Sequence, residues 1–341
     1  MDLILDRDDC RAAFLCLVSH PKTHVIMLCR MAPSQKAHVV NLVKTLAGPN
    51  RTLAVGDGVN DVSMLRAAHV GVGLYGHDGR QAVENADFAI PRFKHVLPLL
   101  LVHGRQSYKR AAKLIGYCIY KNLTIITIQL LAIYYNKSCQ PALEQELFNP
   151  YNVLYTSLPI LCVATLGREL EPSLLLTYPE LHRRGIRGTA LNLSTAGGWV
   201  GLAIFHGYFL YITCFEALHD ELDSLFATSF ALFTCLLIAV NAKLLLLSSW
   251  TWHGAVAVAA SLITWLIYGG VLSSSLITWP QFYRGLGEAL GVPRLWLTIP
   301  LIVWTVIWPD LCWLAYRRNY GPNIKHVVSA PYTEHILDTH I

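Results

Sequence analysis

Six apolar runs of about 20 residues each, in the C-terminal part of the chain, constrain its fold more than any other feature. They lie near residues 114–135, 151–168, 197–217, 226–247, 254–276 and 295–316. That length matches the hydrocarbon core of a bilayer, where only helices or closed barrels satisfy every backbone polar group. The runs predict an all-α, polytopic membrane bundle of six helices. Residues 1 to about 110 are different, with mixed charges and short apolar segments, and read as a separate soluble part. The overall balance, 54% hydrophobic against 14% charged, argues against a wholly water-soluble chain.

Loop charges set an expected orientation, because Lys and Arg concentrate on the cytoplasmic side. Lys109, Arg110 and Lys113 precede the first run, Arg183, Arg184 and Arg187 follow the second, Lys243 lies near the end of the fourth, and Arg317, Arg318 and Lys325 follow the last. With six spans these share one face. Glu144, Glu146, Asp220, Glu221 and Asp223 fall on the other, with Lys137, Arg284 and Arg294 as its basic residues. Both termini are then cytoplasmic. Met1 to Arg11 holds four aspartates and no apolar core, so no signal peptide is expected there and the first span directs insertion. The nine cysteines form no CxxC pair, which points away from zinc and from a disulfide framework. The net charge of +5 suits anionic lipid heads, and no aromatic-basic pattern suggests nucleic acid.

In the soluble part, His24–Cys29, Thr52–Val55, Val70–Gly73 and Asp87–Ile90 read as strands, and Ser34–Leu46 and Val62–Ala68 as helices. This alternation predicts a parallel α/β sheet, which binds ligands at the carboxyl ends of its strands. Leu53-Ala54-Val55-Gly56-Asp57-Gly58-Val59-Asn60-Asp61 places two carboxylates and an amide on a glycine turn at such an end. Magnesium takes one or two carboxylates together with phosphate oxygens, so Asp57 is the expected ligand and Asp61 a nearby ligand or hydrogen-bonding group. Asn60 can donate to a phosphate oxygen without adding negative charge. In Cys29-Arg30-Met31-Ala32-Pro33-Ser34-Gln35-Lys36, Ser34 reads as a helix cap, and Lys36 as either a solvated surface lysine or a counter-charge for phosphate. Gly71-Val72-Gly73-Leu74-Tyr75-Gly76 satisfies GxGxxG, but without a complete dinucleotide-binding unit the glycines are expected to serve chain geometry.

These segments resemble P-type ATPases of the haloacid-dehalogenase superfamily. Val62-Ser63-Met64, His103-Gly104-Arg105-Gln106-Ser107-Tyr108, Tyr120-Lys121-Asn122 and Tyr151-Asn152-Val153-Leu154-Tyr155-Thr156-Ser157-Leu158-Pro159 are similar to the type-IV branch, the phospholipid flippases. The resemblance is close from about Phe14 to Glu180. It implies a partial phosphorylation domain over 1–96, a stalk over 97–113, a membrane domain over 114–316 and a cytoplasmic tail over 317–341. It also implies ATP as substrate, Mg2+ as cofactor and a small two-span glycosylated β-subunit as partner. Lys36, Asn60 and Asp61 would act in phosphoryl transfer, with Lys36 reaching the phosphorylated aspartate. That aspartate's Asp-Lys-Thr-Gly-Thr segment does not occur in these 341 residues, nor do nucleotide-binding or actuator segments, so the isolated chain is not expected to phosphorylate itself.

The membrane runs separate substrate classes. Cation pumps of the superfamily need carboxylates in the first two spans, and neither run here has an internal Asp or Glu. The first instead carries Lys121 and Asn122, and the second Asn152, Tyr155, Thr156 and Ser157 before Pro159, a donor and acceptor set suited to a lipid head. For Lys121 the alternative is snorkelling to the interface, and for Thr156 and Ser157 it is ordinary helix packing. At the level of the whole chain, the alternatives to a flippase portion are a non-catalytic membrane remnant that binds lipid or a β-subunit, and a cation-transporting P-type ATPase.

Overall fold

The computed structural model describes residues 8–46, 51–76, 80–137, 141–167, 170–182, 185, 188, 190–218, 221–222, 224–247, 252–274 and 280–320. Arg183, Arg184, Arg187, Asp220, Asp223, Lys325 and residues 321–341 of the expected tail lie outside them. The chain divides between residues 103 and 104 into two compact units.

In the first unit, α1 (Asp8–Ser19) and α2 (Pro33–Leu46) precede β1 (Leu53–Gly56), α3 (Val62–Ala67), β2 (Val70–Leu74), α4 (Gln81–Glu84) and β3 (Phe88–Ile90). The strands form one parallel sheet in the order β1-β2-β3, with Leu53 opposite Val70, Gly56 opposite Gly73 and Leu74 opposite Ile90. Ala54, Leu65 and Ala82 form a small core between sheet and helices. The expected strand His24–Cys29 is not one: its backbone pairs with no strand among the described residues, and Val25 and Met27 are exposed. An apolar segment without a ladder partner stays irregular. Ser34 is also not the cap. Pro33 opens α2, where its missing N–H is harmless, and the Gln35 side chain accepts the Ala32 N–H at 3.0 Å.

The second unit holds α5 (Arg105–Asn136), α6 (Gln145–Phe148), a π-turn (Tyr151–Tyr155), α7 (Ser157–Leu166), α8 (Pro172–Thr177), α9 (Leu193–Leu218), α10 (Leu225–Leu247), α11 (Trp252–Ser274), α12 (Gly285–Gly291) and α13 (Pro293–Tyr320). Five helical segments are long and apolar enough to cross a bilayer: Phe93–Tyr135, Leu193–Leu218, Leu225–Leu247, Trp252–Ser274 and Pro293–Trp313. The chain is thus a multi-pass membrane protein. Helix α10 is the central one, its residues Phe230 to Leu237 all buried, and Phe230 and Phe233 pack on Trp265 of α11.

The expected second span is not a continuous helix. Pro159 has no N–H to offer Tyr155, the acceptor one turn earlier, and the backbone breaks into a π-turn ending at Thr156. The Tyr155 carbonyl is satisfied from another helix instead, by the Ser261 hydroxyl at 2.5 Å, and Asn241 donates to Ser261 at 3.2 Å. The broken segment runs antiparallel to α5. Gln129 bonds to Ala142 and Leu143, Lys121 to Asn152 and Thr156, and Arg110 to Gly167.

Basic side chains at the start of α5 close other helices. Arg110 Nε donates to the Gly167 carbonyl at 2.8 Å and Lys113 Nζ to the Leu247 carbonyl at 3.0 Å, just past α7 and at the end of α10. Cations at helix C-termini satisfy orphan carbonyls and oppose the helix dipole. Arg105 is buried and donates to the Leu181 carbonyl. Burial and the Arg105 charge together hold His182 below its ordinary pKa.

Candidate functional site

Two sites, one in each unit, gather the residues singled out by sequence. In the first unit β1 delivers Asp57 at its carboxyl end, and the tight turn Val59–Asp61 brings Asp61 back beneath the strand. Gly56 makes this return feasible: a Cβ there would lie 2.5 Å from Asp61 Cβ. Gly73 on the neighbouring strand has the same character, since a Cβ would meet the Ala82 carbonyl at 2.8 Å, so the GxGxxG glycines serve close packing. The Ser63 hydroxyl bonds to the Pro33 carbonyl at 2.7 Å and Lys44 to the Ala67 carbonyl at 2.7 Å, fixing α2 against α3. Lys36, in the first turn of α2, thereby reaches Asp61 with Nζ–Oδ1 of 2.7 Å.

Asp57 and Asn60 are exposed and form no side-chain hydrogen bond among the described residues. The donor set fits magnesium in one respect: Asp57 is an open carboxylate at a strand end, and Mg2+ typically takes few protein ligands and keeps several waters. Asp61, the other residue expected near the metal, has Lys36 as the partner of its Oδ1. No cluster of three or more acidic, His or Cys ligands occurs among the described residues.

The second site lies where α5 faces the break at Thr156. Lys121 is 4% exposed, yet its ammonium meets no carboxylate among the described residues. It donates to Asn152 Oδ1 at 2.7 Å and Thr156 Oγ1 at 2.5 Å, and lies 5.4 Å from the Tyr151 ring centre. Thr156 passes its own proton to the Tyr151 carbonyl at 2.9 Å, and the Tyr151 hydroxyl donates to the Lys121 carbonyl at 3.2 Å. The ammonium is thus held by neighbouring side chains. Asn152 is exposed, and the surface around it carries Val153, Leu154, Leu158 and Leu161. Asn152 thus links the buried ammonium to an exposed stretch that also carries Val153 and Leu154.

Not every expected residue joins it. Asn122 is half-buried and makes no side-chain hydrogen bond among the described residues, Ser157 donates to the Val153 carbonyl of its own turn, and Tyr155 packs against Phe233 and Trp265. Sequence reasoning missed Ser261 and Asn241, polar positions in apolar runs that hold the break open. It also missed the pairing of Lys243 with Asp310, although ionisable residues inside such runs are the usual signal.

A family model described as phospholipid-translocating P-type ATPase C-terminal matches residues 83–323, most of the chain. The chain belongs to this family. Among its relatives, mouse phospholipid-transporting ATPase 11C and human phospholipid-transporting ATPase IG are each 34% identical over 315 residues, covering 87% of this chain. Saccharomyces cerevisiae phospholipid-transporting ATPase DRS2 is 32% identical over 328 residues, or 92% of the chain. The chain spans only 27% of the mouse and human proteins and 24% of the yeast protein. It thus corresponds to the C-terminal portion of a phospholipid-translocating P-type ATPase, and the π-turn, α7 and Lys121 with its partners Asn152 and Thr156 all fall within the matched region.

Proposed function

We propose that this chain supplies the lipid path, and part of the phosphorylation site, of an ATP-driven phospholipid translocase. The observation that carries the reading is the setting of Lys121: a buried ammonium whose acceptors among the described residues are neutral, bonded to the exposed Asn152 beside the exposed apolar residues Val153 and Leu154. A charge in a bilayer-spanning helix is unfavourable by about 2.5–3.5 kcal/mol on insertion scales. An anionic group offsets that cost when bound, and the adjoining apolar residues suit acyl chains. A phosphodiester head with its tails has both properties.

On this reading, ATP phosphorylates an aspartate carried by a segment outside these residues. Lys36 balances the charge of the acyl phosphate, Asn60 donates to its oxygens, and Asp57, with Asp61 beside it, holds Mg2+, which supplies charge neutralisation for phosphoryl transfer. Residues 1–96 act as part of the phosphorylation domain, 97–113 as the stalk, 114–316 as the membrane domain and 317–341 as a tail. The segment from Ala142 to Gly167 serves as a sixth crossing despite its break, because its contacts follow α5 from Gln129 to Arg110, a rise of about 28 Å at 1.5 Å per residue. The basic start of α5 and both termini are cytoplasmic. Glu221 and Arg294, expected on the opposite side, pair with each other at 2.8 Å, which supports their sharing one end. A β-subunit of two spans is proposed on family grounds alone. A glycan on Asn192 would overturn the orientation.

The test requires a longer polypeptide in which an Asp-Lys-Thr-Gly-Thr segment precedes these residues. Lys121→Ala and Asn152→Ala should raise the phospholipid concentration for half-maximal ATP hydrolysis about tenfold at unchanged phosphoenzyme levels, the effect of losing one charge-assisted hydrogen bond. Unchanged lipid dependence in both variants contradicts the proposal.

A further inference from the structure

A second buried lysine stands close to the first and is held differently. Lys243 of α10 is 2% exposed and joins three other helices. It forms an ion pair with Asp310 of α13, and its ammonium lies 5.4 Å from the Trp199 ring centre of α9 and 5.9 Å from that of Tyr120 on α5. Both rings are within cation–π range. The Tyr120 hydroxyl sits 2.8 Å from His206 Nδ1, again on α9. Where these helices meet, there is no room for adjustment: a Cβ on Gly116 of α5 would collide with the Trp199 indole, and one on Gly207 of α9 would lie 2.8 Å from Thr127 Cβ and 3.0 Å from the Thr124 carbonyl of α5.

Tyr120 and Lys121 are consecutive, so their side chains leave α5 about 100° apart. Whatever sets the direction of Tyr120 also sets that of Lys121. We infer that Lys243 is a positioning residue: seated between Asp310 and the rings of Trp199 and Tyr120, it fixes the rotational setting of α5 that turns Lys121 toward Asn152 and Thr156. The role of Lys121 in this statement rests on the lipid-path reading, whereas the setting of α5 does not.

The experiment uses the 341-residue chain in nanodiscs and measures amide hydrogen exchange across residues 117–125, a segment on neither helix that carries the ion pair. Lys243→Met and Tyr120→Leu should each speed exchange there about tenfold, while Lys243→Arg should preserve protection. Tyr120→Leu leaves the ion pair intact and guards against a Lys243 variant that fails to fold. The exchanged pair Lys243→Asp with Asp310→Lys should restore the melting temperature but not the protection of 117–125, because the ammonium no longer sits over the rings. Wild-type exchange in Tyr120→Leu, or full restoration of protection by the exchanged pair, overturns the inference. Lipid plays no part in this readout, so a failed lipid path leaves it standing; in the longer polypeptide, Lys243→Met should shift lipid half-stimulation without lowering phosphoenzyme.

Discussion

Lys36 and Lys121 are the same residue type in opposite circumstances. Lys36 is 31% exposed at its side chain and paired with Asp61 at 2.7 Å, so both water and a carboxylate stabilise its charge. Among the described residues, Lys121, 4% exposed, is held by an amide oxygen, a hydroxyl and a ring face. A partly exposed ion pair contributes about 0–1 kcal/mol, so little folding stability is expected from Lys36, and on the proposed reading its placement serves phosphoryl transfer. A buried ammonium with no carboxylate beside it among the described residues is a liability to folding, and on the proposed reading a ligand brings the missing charge. Lys243 is the control within the same bundle, since it has Asp310 and needs no ligand.

This contrast predicts effects that separate activity from stability. In the longer polypeptide, Lys36→Met should reduce phosphoenzyme formation about 10²–10³-fold, as removal of a preorganised counter-charge does, while changing unfolding free energy by no more than about 1 kcal/mol. Asp57→Asn should impair phosphorylation comparably at every lipid concentration, and normal turnover would remove Asp57 from the magnesium site. Lys121→Met should do the reverse of Lys36→Met. Insertion of α5 should become more favourable by up to about 2.5–3.5 kcal/mol in a translocon assay, while lipid dependence worsens. A Lys121 variant that inserts no better would mean that Asn152 and Thr156 already compensate the charge, and the contrast would lose its basis.

A smaller effect is expected at the break. Ser261→Ala leaves the Tyr155 carbonyl unpaired in the interior and should destabilise the membrane unit by about 1–3 kcal/mol, read as a lowered midpoint in detergent unfolding. The smallest effect is on pH. His182 has a lowered pKa in the folded chain, so the unfolded chain binds the extra proton as pH falls below 6.5, and stability declines in that direction. His182→Gln should flatten that part of the profile.

The sequence made some of this legible and hid the rest for physical reasons. Apolar runs identify membrane helices because length and hydropathy are local properties, and five of the six appear as continuous helices long enough to cross. The sixth run, 151–168, contains a proline whose consequence depends on Ser261, more than 100 residues away, so its break could be suspected but not placed. His24–Cys29 has strand composition, yet a strand exists only with a partner, and composition does not report one. The pairing of Lys121 with Asn152 and Thr156 was foreshadowed by residue type in neighbouring runs. Joining Lys243 to Asp310 required knowing that α10 and α13 are neighbours.

The lipid path itself is tested most directly by labelling. The chain is placed in nanodiscs containing a phospholipid with a photoreactive group on its head, irradiated, and digested. If Lys121 and Asn152 bind the phosphodiester, label concentrates on peptides covering 117–124 and 151–157 and is lost in Lys121→Ala. Label spread over the exposed apolar faces, with the same yield in Lys121→Ala, would contradict the account.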